Sequence, residues 1–365
     1  MIIAAESPPG NGEILPEGRR HRRFCYIEGF PAAPDAAMKP REIKAFLDRY
    51  VIGQDDAKKT LAVAVYTHRH KLALAGSGPN KSNVLLIGPT GTGKTLLCQT
   101  LARCLATPFV SADATALSQA RFVGDELEAL IQRLLEQAGG DAERAGRGIV
   151  FIDEIDKLAN PDAPERASAG RSVQHALLKI MEGSLIRLPG GVSVDTRGIL
   201  FICGGAFVGL EAIIASHTSY GFIGTADSDD GRIIERLNSR IKPTDLFNFG
   251  LIPEFTGRLP VIARLAPLGR EDFVRIMQVP EDSLYRQFQA IFRELGSELV
   301  IDPPVFAQIA ELALEYKVGA RSLRGIFEEL LTPVLYDLPD APAGSRVHFH
   351  SLFSPPDRTS GGQDG

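Results

Sequence analysis

The stretch Asn83–Thr95 reads NVLLIGPTGTGKT, in which four apolar residues run into a glycine-rich turn that ends in Lys-Thr. This is the GxxxxGK[ST] pattern of a phosphate-binding P-loop, placed as the pattern requires between a predicted strand and an amphipathic helix. Glycines allow backbone N–H groups to curl around phosphate oxygens, and the following helix adds the positive end of its dipole. The residues predicted to bind phosphates are Gly88, Pro89, Thr90, Gly91, Thr92, Gly93, Lys94 and Thr95.

A pair of carboxylates follows a second buried strand further along the chain. Gly148–Ile152 reads GIVFI, and Asp153 and Glu154 come directly after it. Ligands bind at the carboxyl ends of parallel strands, so this Walker B pattern is the expected partner of a P-loop. Lys94 is predicted to reach the β- and γ-phosphates, while Thr95 and Asp153 are predicted to hold Mg²⁺. Glu154 is predicted to polarise the attacking water, which makes ATP and Mg²⁺ the expected cofactors.

An apolar turn lies between two predicted helices just before the P-loop. Val51 and Ile52 precede Gly53, which breaks the helical pattern. In that position Val51 and Ile52 are candidates for a pocket that holds adenine. The alternative is plain packing in the hydrophobic core, and the sequence alone leaves both interpretations open.

The composition is that of a globular protein long enough for two domains. The chain has 365 residues, of which 44% are hydrophobic and 23% charged. A formal net charge of −5 gives no support for nucleic acid as the main partner. The sequence contains no apolar run of about 18 residues and no convincing signal peptide. We therefore expect a cytoplasmic protein without a membrane span.

Four cysteines bear on metal binding and on the redox compartment. They are Cys25, Cys98, Cys104 and Cys203, and none forms a CxxC pair. A zinc site is therefore not expected. The last three lie in apolar patterns and are interpreted as buried thiols in a reducing compartment.

The chain divides by composition into four segments. Residues 1–39 are predicted to be a flexible leader, 40–266 the larger domain, 267–350 a small domain with helices near 271–293, 303–316 and 321–335, and 351–365 a disordered tail. The basic run at 19–23 is either a solvated stretch or a patch for nucleic acid or an acidic partner.

Long stretches of the sequence, covering about residues 40–340, resemble the ClpX family of AAA+ protein unfoldases, which feed the ClpP protease. The stretches are YVIGQDDAKKTLAVAVYTH, LLIGPTGTGKTLL, GIVFIDEIDKLA, ILFICGGAF, FGLIPEFTGRLPV and GARSLRG. The resemblance implies an α/β fold with a five-stranded parallel sheet, followed by a small, mainly helical C-terminal domain. It also implies a homohexameric ring that binds nucleotide between subunits and pulls protein substrates through a central pore.

Two arginines acquire roles through this resemblance. Arg258 matches the arginine finger, which reaches the γ-phosphate bound by the neighbouring subunit. Arg321 matches the sensor-2 arginine, which contacts nucleotide from the small domain. A guanidinium suits both roles because it stays charged and can donate two hydrogen bonds at once to phosphate oxygens. Without the resemblance, either arginine reads equally well as a surface ion-pair partner.

Several segments depart from the family pattern. The family's N-terminal zinc-binding domain has no counterpart in the leader. The aromatic residue of the pore loop is kept, but an arginine replaces a glycine beside it. The loop that docks on ClpP has Tyr where the family has Ile, and the basic loop at the pore entrance has shrunk to a short turn within 188–194. The second pore loop, near 162–172, is also altered. The aligned residues are Arg121, Phe122, Val123 and Gly124 for the pore, and Tyr220, Gly221 and Phe222 for docking.

These departures leave the substrates and the partnership with a ClpP-type protease open. The sequence favours an ATP-driven unfoldase. The alternatives are a remodeller that acts without ClpP, a DNA-associated motor and a nucleotide-gated scaffold. The acidic charge and the aromatic pore residue disfavour the DNA motor, and the intact Glu154 and Arg258 disfavour the scaffold.

Overall fold

The structure, a computed structural model, describes residues 38–73, 83–120, 122–159, 164–218 and 241–359. These residues fall within Asp35–Gly365, which forms one compact unit. The helices are α1 (Pro40–Asp48), α2 (Asp55–Ala73), α3 (Lys94–Cys104), α4 (Ala114–Gln119), α5 (Val123–Gln137), α6 (Ala142–Ala145), α7 (Pro164–Glu182), α8 (Leu210–Thr218), α9 (Pro243–Phe249), α10 (Pro253–Thr256), α11 (Arg270–Gln278), α12 (Leu284–Glu294), α13 (Pro303–Glu315) and α14 (Arg321–Asp337).

Five strands form one parallel sheet in the order β2-β3-β6-β1-β7. This confirms the fold predicted for the larger part of the chain. The strands are β1 (Val84–Ile87), β2 (Phe109–Asp113), β3 (Ile149–Asp153), β6 (Leu200–Gly205) and β7 (Val261–Arg264). A separate short hairpin pairs β4 (Leu185–Arg187) with β5 (Ser193–Asp195). Because the sheet is parallel, the P-loop after β1 and the carboxylates after β3 lie at the same edge.

Hydrophobic clusters cover both faces of this sheet, which explains its continuous apolar strands. Leu85 and Ile87 face one cluster, together with residues of α5 and α7. Val84 and Leu86 face the other, together with residues of α1, α2 and α3. Side chains of a strand alternate between faces, so helices on both sides require an apolar residue at every position of β1.

The cysteines within the described residues are buried free thiols, as the sequence predicts. Cys98, Cys104 and Cys203 form no disulfide, and Cys25 lies outside the described residues. Burial raises the pKa of Cys104 to about 11 and that of Cys203 to about 12. Thiols with such raised pKa values are poor nucleophiles at neutral pH.

The C-terminal region has its own hydrophobic cluster, built from residues after 267. Helices α11 to α14 surround a three-stranded sheet in the order β10-β9-β8. Its strands are β8 (Glu298–Ile301), β9 (Arg346–Phe349) and β10 (Asp357–Thr359). The division of the chain at 266/267 is a proposal that this separate cluster supports.

Two expectations for this region are wrong. The helix expected over 271–293 is two helices, α11 and α12, and Pro280 lies in the break between them because proline lacks the N–H that a helix interior needs. The tail expected to be disordered from 351 contains β10, which pairs antiparallel with β9. Its backbone hydrogen bonds satisfy an edge of β9 that would otherwise remain unpaired.

Truncation of Phe327 tests the importance of this third cluster. Phe327 is fully buried and stacks on Phe288, with ring centroids 6.0 Å apart. We expect Phe327→Ala to lower the free energy of unfolding by about 3–5 kcal/mol, measured by urea denaturation, because it leaves a cavity. Tyr336→Ala on the same helix is the control, since Tyr336 is 85% exposed and its loss should change stability by about 0.5 kcal/mol or less. Equal losses for the two variants would contradict a packed aromatic core.

Candidate nucleotide-binding site

The P-loop has the backbone geometry that the glycine pattern predicts. Gly91 and Gly93 have φ values of +80° and +92°, in the left-handed region that favours glycine. A Cβ on Gly93 would meet no atom within 4 Å, so the backbone there faces open space. Gly93 is also the N-cap of α3, so the first-turn N–H groups receive no side-chain cap from it. This is the arrangement that binds phosphate at a helix N-terminus.

The buried ammonium group of Lys94 lies against the backbone of the P-loop. Its Nζ donates to the carbonyl oxygens of Gly88 at 2.7 Å and of Pro89 at 3.1 Å. Burial lowers the pKa of Lys94, while the nearby Asp153 carboxylate opposes this shift. A cation that is only partly hydrated is well suited to pair with phosphate oxygens.

Thr95 contacts one of several carboxylates that lie near the carboxyl ends of β2 and β3. The Thr95 hydroxyl donates to Asp153 Oδ2 at 3.3 Å, and Asp113 at the end of β2 is in register with Asp153. Asp156 follows shortly after β3, and its buried Oδ1 has no hydrogen-bond partner among the described residues. The Thr95 hydroxyl and the Asp153 carboxylate are hard oxygen donors, which is the chemistry that Mg²⁺ prefers. These residues therefore fit the predicted magnesium site.

Glu154 has a strained backbone beside this cluster. Its φ is +57°, a value that residues other than glycine seldom adopt. Such outliers persist where the surrounding structure holds them, often at functional sites. Burial raises the pKa of Glu154, and the negative charges of Asp113 and Asp153 raise it further. A carboxylate with a raised pKa is a stronger base towards water than an ordinary glutamate.

The end of β6 fits tightly between these groups. A Cβ on Gly204 would lie 2.8 Å from the Phe151 ring, and one on Gly205 would lie 2.6 Å from Asp156 Oδ1. Space therefore restricts both positions to glycine, while the preceding Cys203 is fully buried in the core. The end of β6 therefore presents backbone rather than a polar side chain to the site.

The turn before α2 is fixed to the segment that follows β7. Gln54 has a φ of +59°, and its side-chain amide makes two hydrogen bonds of 2.8 Å with the backbone of Ala266. Val51 packs in the core cluster with α1 to α3. Ile52 is also buried, but among the described residues it belongs to none of the three clusters. A role for either residue in adenine binding stays a proposal, which Ile52 fits better than Val51.

A loop of the C-terminal region contacts the P-loop through two glycines. The Ala320 N–H donates to the Gly91 carbonyl oxygen at 3.3 Å. A Cβ on Gly319 would lie 2.8 Å from the Gly91 Cα, so neither glycine leaves room for a side chain. Arg321 begins α14 directly after this contact, and its charge contributes to the lowered pKa of Lys94. Arg321 therefore lies within electrostatic range of the P-loop of its own chain.

Arg258 lies at the opposite edge of the sheet from the P-loop. It shortly precedes β7, and its carbonyl oxygen accepts a hydrogen bond of 3.1 Å from Asn83, the residue before β1. The four residues of β1 separate this amino-terminal end of the strands from the P-loop by about 13 Å. The Arg258 guanidinium is bound to Glu182 at the end of α7. Arg258 is therefore not part of the phosphate site of its own chain.

The predicted pore residues are described in part. Phe122 is the N-cap of α5 and is 60% exposed, while Val123 packs against the core and Gly124 faces open space. Arg121 and the docking residues 220–222 lie outside the described residues. The hairpin β4-β5 closes through a tight turn in which Leu188 is buried. No long loop therefore extends from this hairpin.

Sequence reasoning missed four residues that shape the site. Asp113 and Asp156 complete the carboxylate cluster, Gln54 fixes the turn before α2, and Gly319 contacts the P-loop. The rule that ligands bind at the carboxyl ends of parallel strands would have indicated Asp113, because it directly follows a predicted strand. The other three depend on contacts between distant segments, which no local pattern reveals.

These features define an ATPase with a P-loop and a Walker B strand, and residues 79–262 match the family described as "AAA domain (Cdc48 subfamily)". Among similar proteins, "ATP-dependent Clp protease ATP-binding subunit ClpX 3" of Methylococcus capsulatus is 48% identical over 335 residues, and its namesake ClpX of Bacteroides thetaiotaomicron is 44% identical over 320 residues. ClpX of Porphyromonas gingivalis is 43% identical over 320 residues.

Each alignment covers 82% of this chain and 77 to 78% of the relative. The chain belongs to the ClpX family. This confirms the resemblance drawn from the sequence motifs. None of the helices in the described residues is long and apolar enough to cross a membrane.

Substitution of Gly319 tests the contact between the two glycines. We expect Gly319→Ala to weaken binding of a fluorescent ATP analogue by at least about tenfold, because a Cβ at φ +72° is strained and would displace the P-loop. Gly325→Ala is the matched control, since a Cβ there meets no atom within 4 Å. Equal affinity in the two variants would show that the contact does not support nucleotide binding.

Proposed function

We propose that this protein is an ATP-dependent unfoldase that threads protein substrates through a ring of identical subunits. The observation that carries the proposal is the position of Arg258. The P-loop, Thr95 and Asp153 of one chain lie together, whereas Arg258 of the same chain lies away from them. The relatives are named as ATP-binding subunits of an ATP-dependent Clp protease, and this supports ATP as the nucleotide. Localisation in the cytoplasm and the absence of zinc-binding cysteine motifs belong to the same proposal.

The residues of the site divide the work of hydrolysis. The P-loop amides and Lys94 bind the phosphates, and Thr95 and Asp153 hold Mg²⁺, which neutralises charge on the phosphate oxygens when bound. Glu154 accepts a proton from the attacking water, for which its raised pKa makes it suitable. Arg321 contacts the phosphates from the C-terminal region of the same chain.

Assembly follows from the position of Arg258. An arginine at the amino edge of the sheet serves a phosphate site only in a neighbouring subunit, which requires head-to-tail contacts. Such contacts close into a ring when the rotation between subunits allows it. The family resemblance makes this ring a homohexamer, with Phe122 of each subunit facing the pore to grip the substrate.

The partnership with a ClpP-type protease remains a separate proposal. Tyr220, Gly221 and Phe222 would provide aromatic anchors for an apolar cleft, although tyrosine carries a hydroxyl that is costly to bury unpaired. The tight β4-β5 turn in place of a basic entrance loop favours a second candidate, a stand-alone remodeller of protein complexes. Degradation of a model substrate in the presence of ClpP separates the two.

Mixing two inactive variants tests catalysis across the subunit interface. We expect Glu154→Gln to bind ATP without turnover, and Arg258→Ala to lose about 10³-fold in turnover, roughly 4 kcal/mol of barrier. Mixed together, they should regain ATPase activity, because Glu154→Gln subunits still donate Arg258 to their neighbours. Arg147→Ala is the control, since Arg147 also pairs with a glutamate of its own chain and should be dispensable. A mixture no more active than its separate components would exclude a finger acting between subunits.

Truncation of the exposed aromatic at the start of α5 tests substrate gripping. We expect Phe122→Ala to slow the unfolding of a fluorescent protein with an unstructured tail by at least about tenfold, while basal ATPase activity is kept, because apolar contact with the substrate is lost. Phe353→Ala removes another exposed phenylalanine and should leave unfolding unchanged. Unimpaired unfolding by Phe122→Ala would show that this residue does not grip the substrate.

A further inference from the structure

Two histidines and two aspartates meet at one end of the C-terminal sheet, far along the chain from the ATPase motifs. His348 Nε2 lies 2.8 Å from Asp302 Oδ1, and His350 Nδ1 lies 2.7 Å from Asp302 Oδ2. The other ring nitrogen of His350, Nε2, lies 3.1 Å from Asp357 Oδ2. Asp302, His348 and His350 each offer a ligand atom, and these atoms lie within 4.8 Å of one another.

The strand register accounts for this convergence. Val347 and Phe349 of β9 face the core, so His348 and His350 project together on the opposite side. Asp302 directly follows β8, and its N–H donates to the Phe349 carbonyl oxygen at 3.0 Å. On the other side of β9, Asp357 of β10 is the register partner of His348. Three neighbouring strands therefore bring the four side chains together.

We propose that Asp302, His348 and His350 bind one divalent transition-metal ion, with zinc as the probe. Two imidazoles and a carboxylate form a ligand set suited to such ions, and a water would complete a tetrahedral site. Ligands of a tetrahedral zinc lie about 3.3 Å apart, so small side-chain rotations from the observed spacing are sufficient. The expectation of no zinc rested on cysteine spacing and does not address this cluster.

The position of Asp357 is the one expected of a carboxylate that orients a metal-ligating histidine. A histidine that ligates a metal through one nitrogen commonly donates its other N–H to a carboxylate, which fixes the ring orientation. Asp357 is placed to accept in this way from Nε2 of His350 while Nδ1 faces Asp302. Asp357 lies on the three-residue strand β10, whose side chains are all exposed. A bound metal would therefore fasten the C-terminal strand to β8 and β9.

Zinc titration of the full chain tests this proposal. The protein is freed of metal with a chelator, kept free of nucleotide, and titrated with zinc chloride by calorimetry and with Co²⁺ by absorption spectroscopy. We expect one tight zinc per wild-type chain, with affinity at least about tenfold lower in His348→Gln, His350→Gln and Asp302→Asn. The matched controls are His175→Gln, an exposed histidine on α7, and Glu298→Gln, which removes a carboxylate from the same sheet.

Two further readouts separate metal binding from a general structural role. Zinc should protect the segment after β9 from proteolysis in wild type and in both controls, but not in the ligand variants. The ligand variants should keep their circular dichroism spectrum, and exposed His350 provides the measurement if a variant at His348 does not fold. Wild-type protein that binds zinc no more tightly than the ligand variants, or lacks a Co²⁺ spectrum with nitrogen ligands, would overturn the proposal.

Discussion

The parallel alignment of five strands is the constraint on which the rest of this structure depends. It collects the ends of β1, β2, β3 and β6 at one edge, where the P-loop meets four carboxylates. Gathering that much negative charge without compensation is unfavourable, and the buried Lys94 supplies a positive charge at the same place. The same alignment puts Arg258 at the opposite end of the strands, away from the phosphate site of its own chain.

The contact of Gly91 with Gly319 connects this site to the C-terminal region. Two backbones approach so closely that neither position accommodates a Cβ, and Arg321 begins its helix directly afterwards. On the other side, Gln54 fixes the turn before α2 to Ala266. Nucleotide bound here would therefore touch segments on both sides of the link between the two regions.

The parts predicted well from the sequence are those encoded by short spacings. The P-loop and the apolar strands before it and before Asp153 follow from neighbouring residues, whereas the five-stranded sheet was implied by the family resemblance. Asp156 and Gly319 were missed because their roles arise from contacts between distant segments. The segment 271–293 was predicted as one helix because its apolar residues recur at helical spacing on both sides of Pro280, where the chain in fact breaks. β10 was missed because a polar three-residue strand gains its structure from pairing with β9 rather than from its own composition.

The ion pair between Arg258 and Glu182 gives the arginine two competing partners. Within a single chain the guanidinium is occupied by a carboxylate of its own subunit. If Arg258 acts between subunits as proposed, a neighbour's γ-phosphate would have to displace Glu182 from the guanidinium. Glu182 ends α7, a helix whose first part overlaps the segment aligned with the second pore loop. The proposed exchange of Glu182 for a neighbour's phosphate would therefore couple the end of α7 in one subunit to the nucleotide bound by the next.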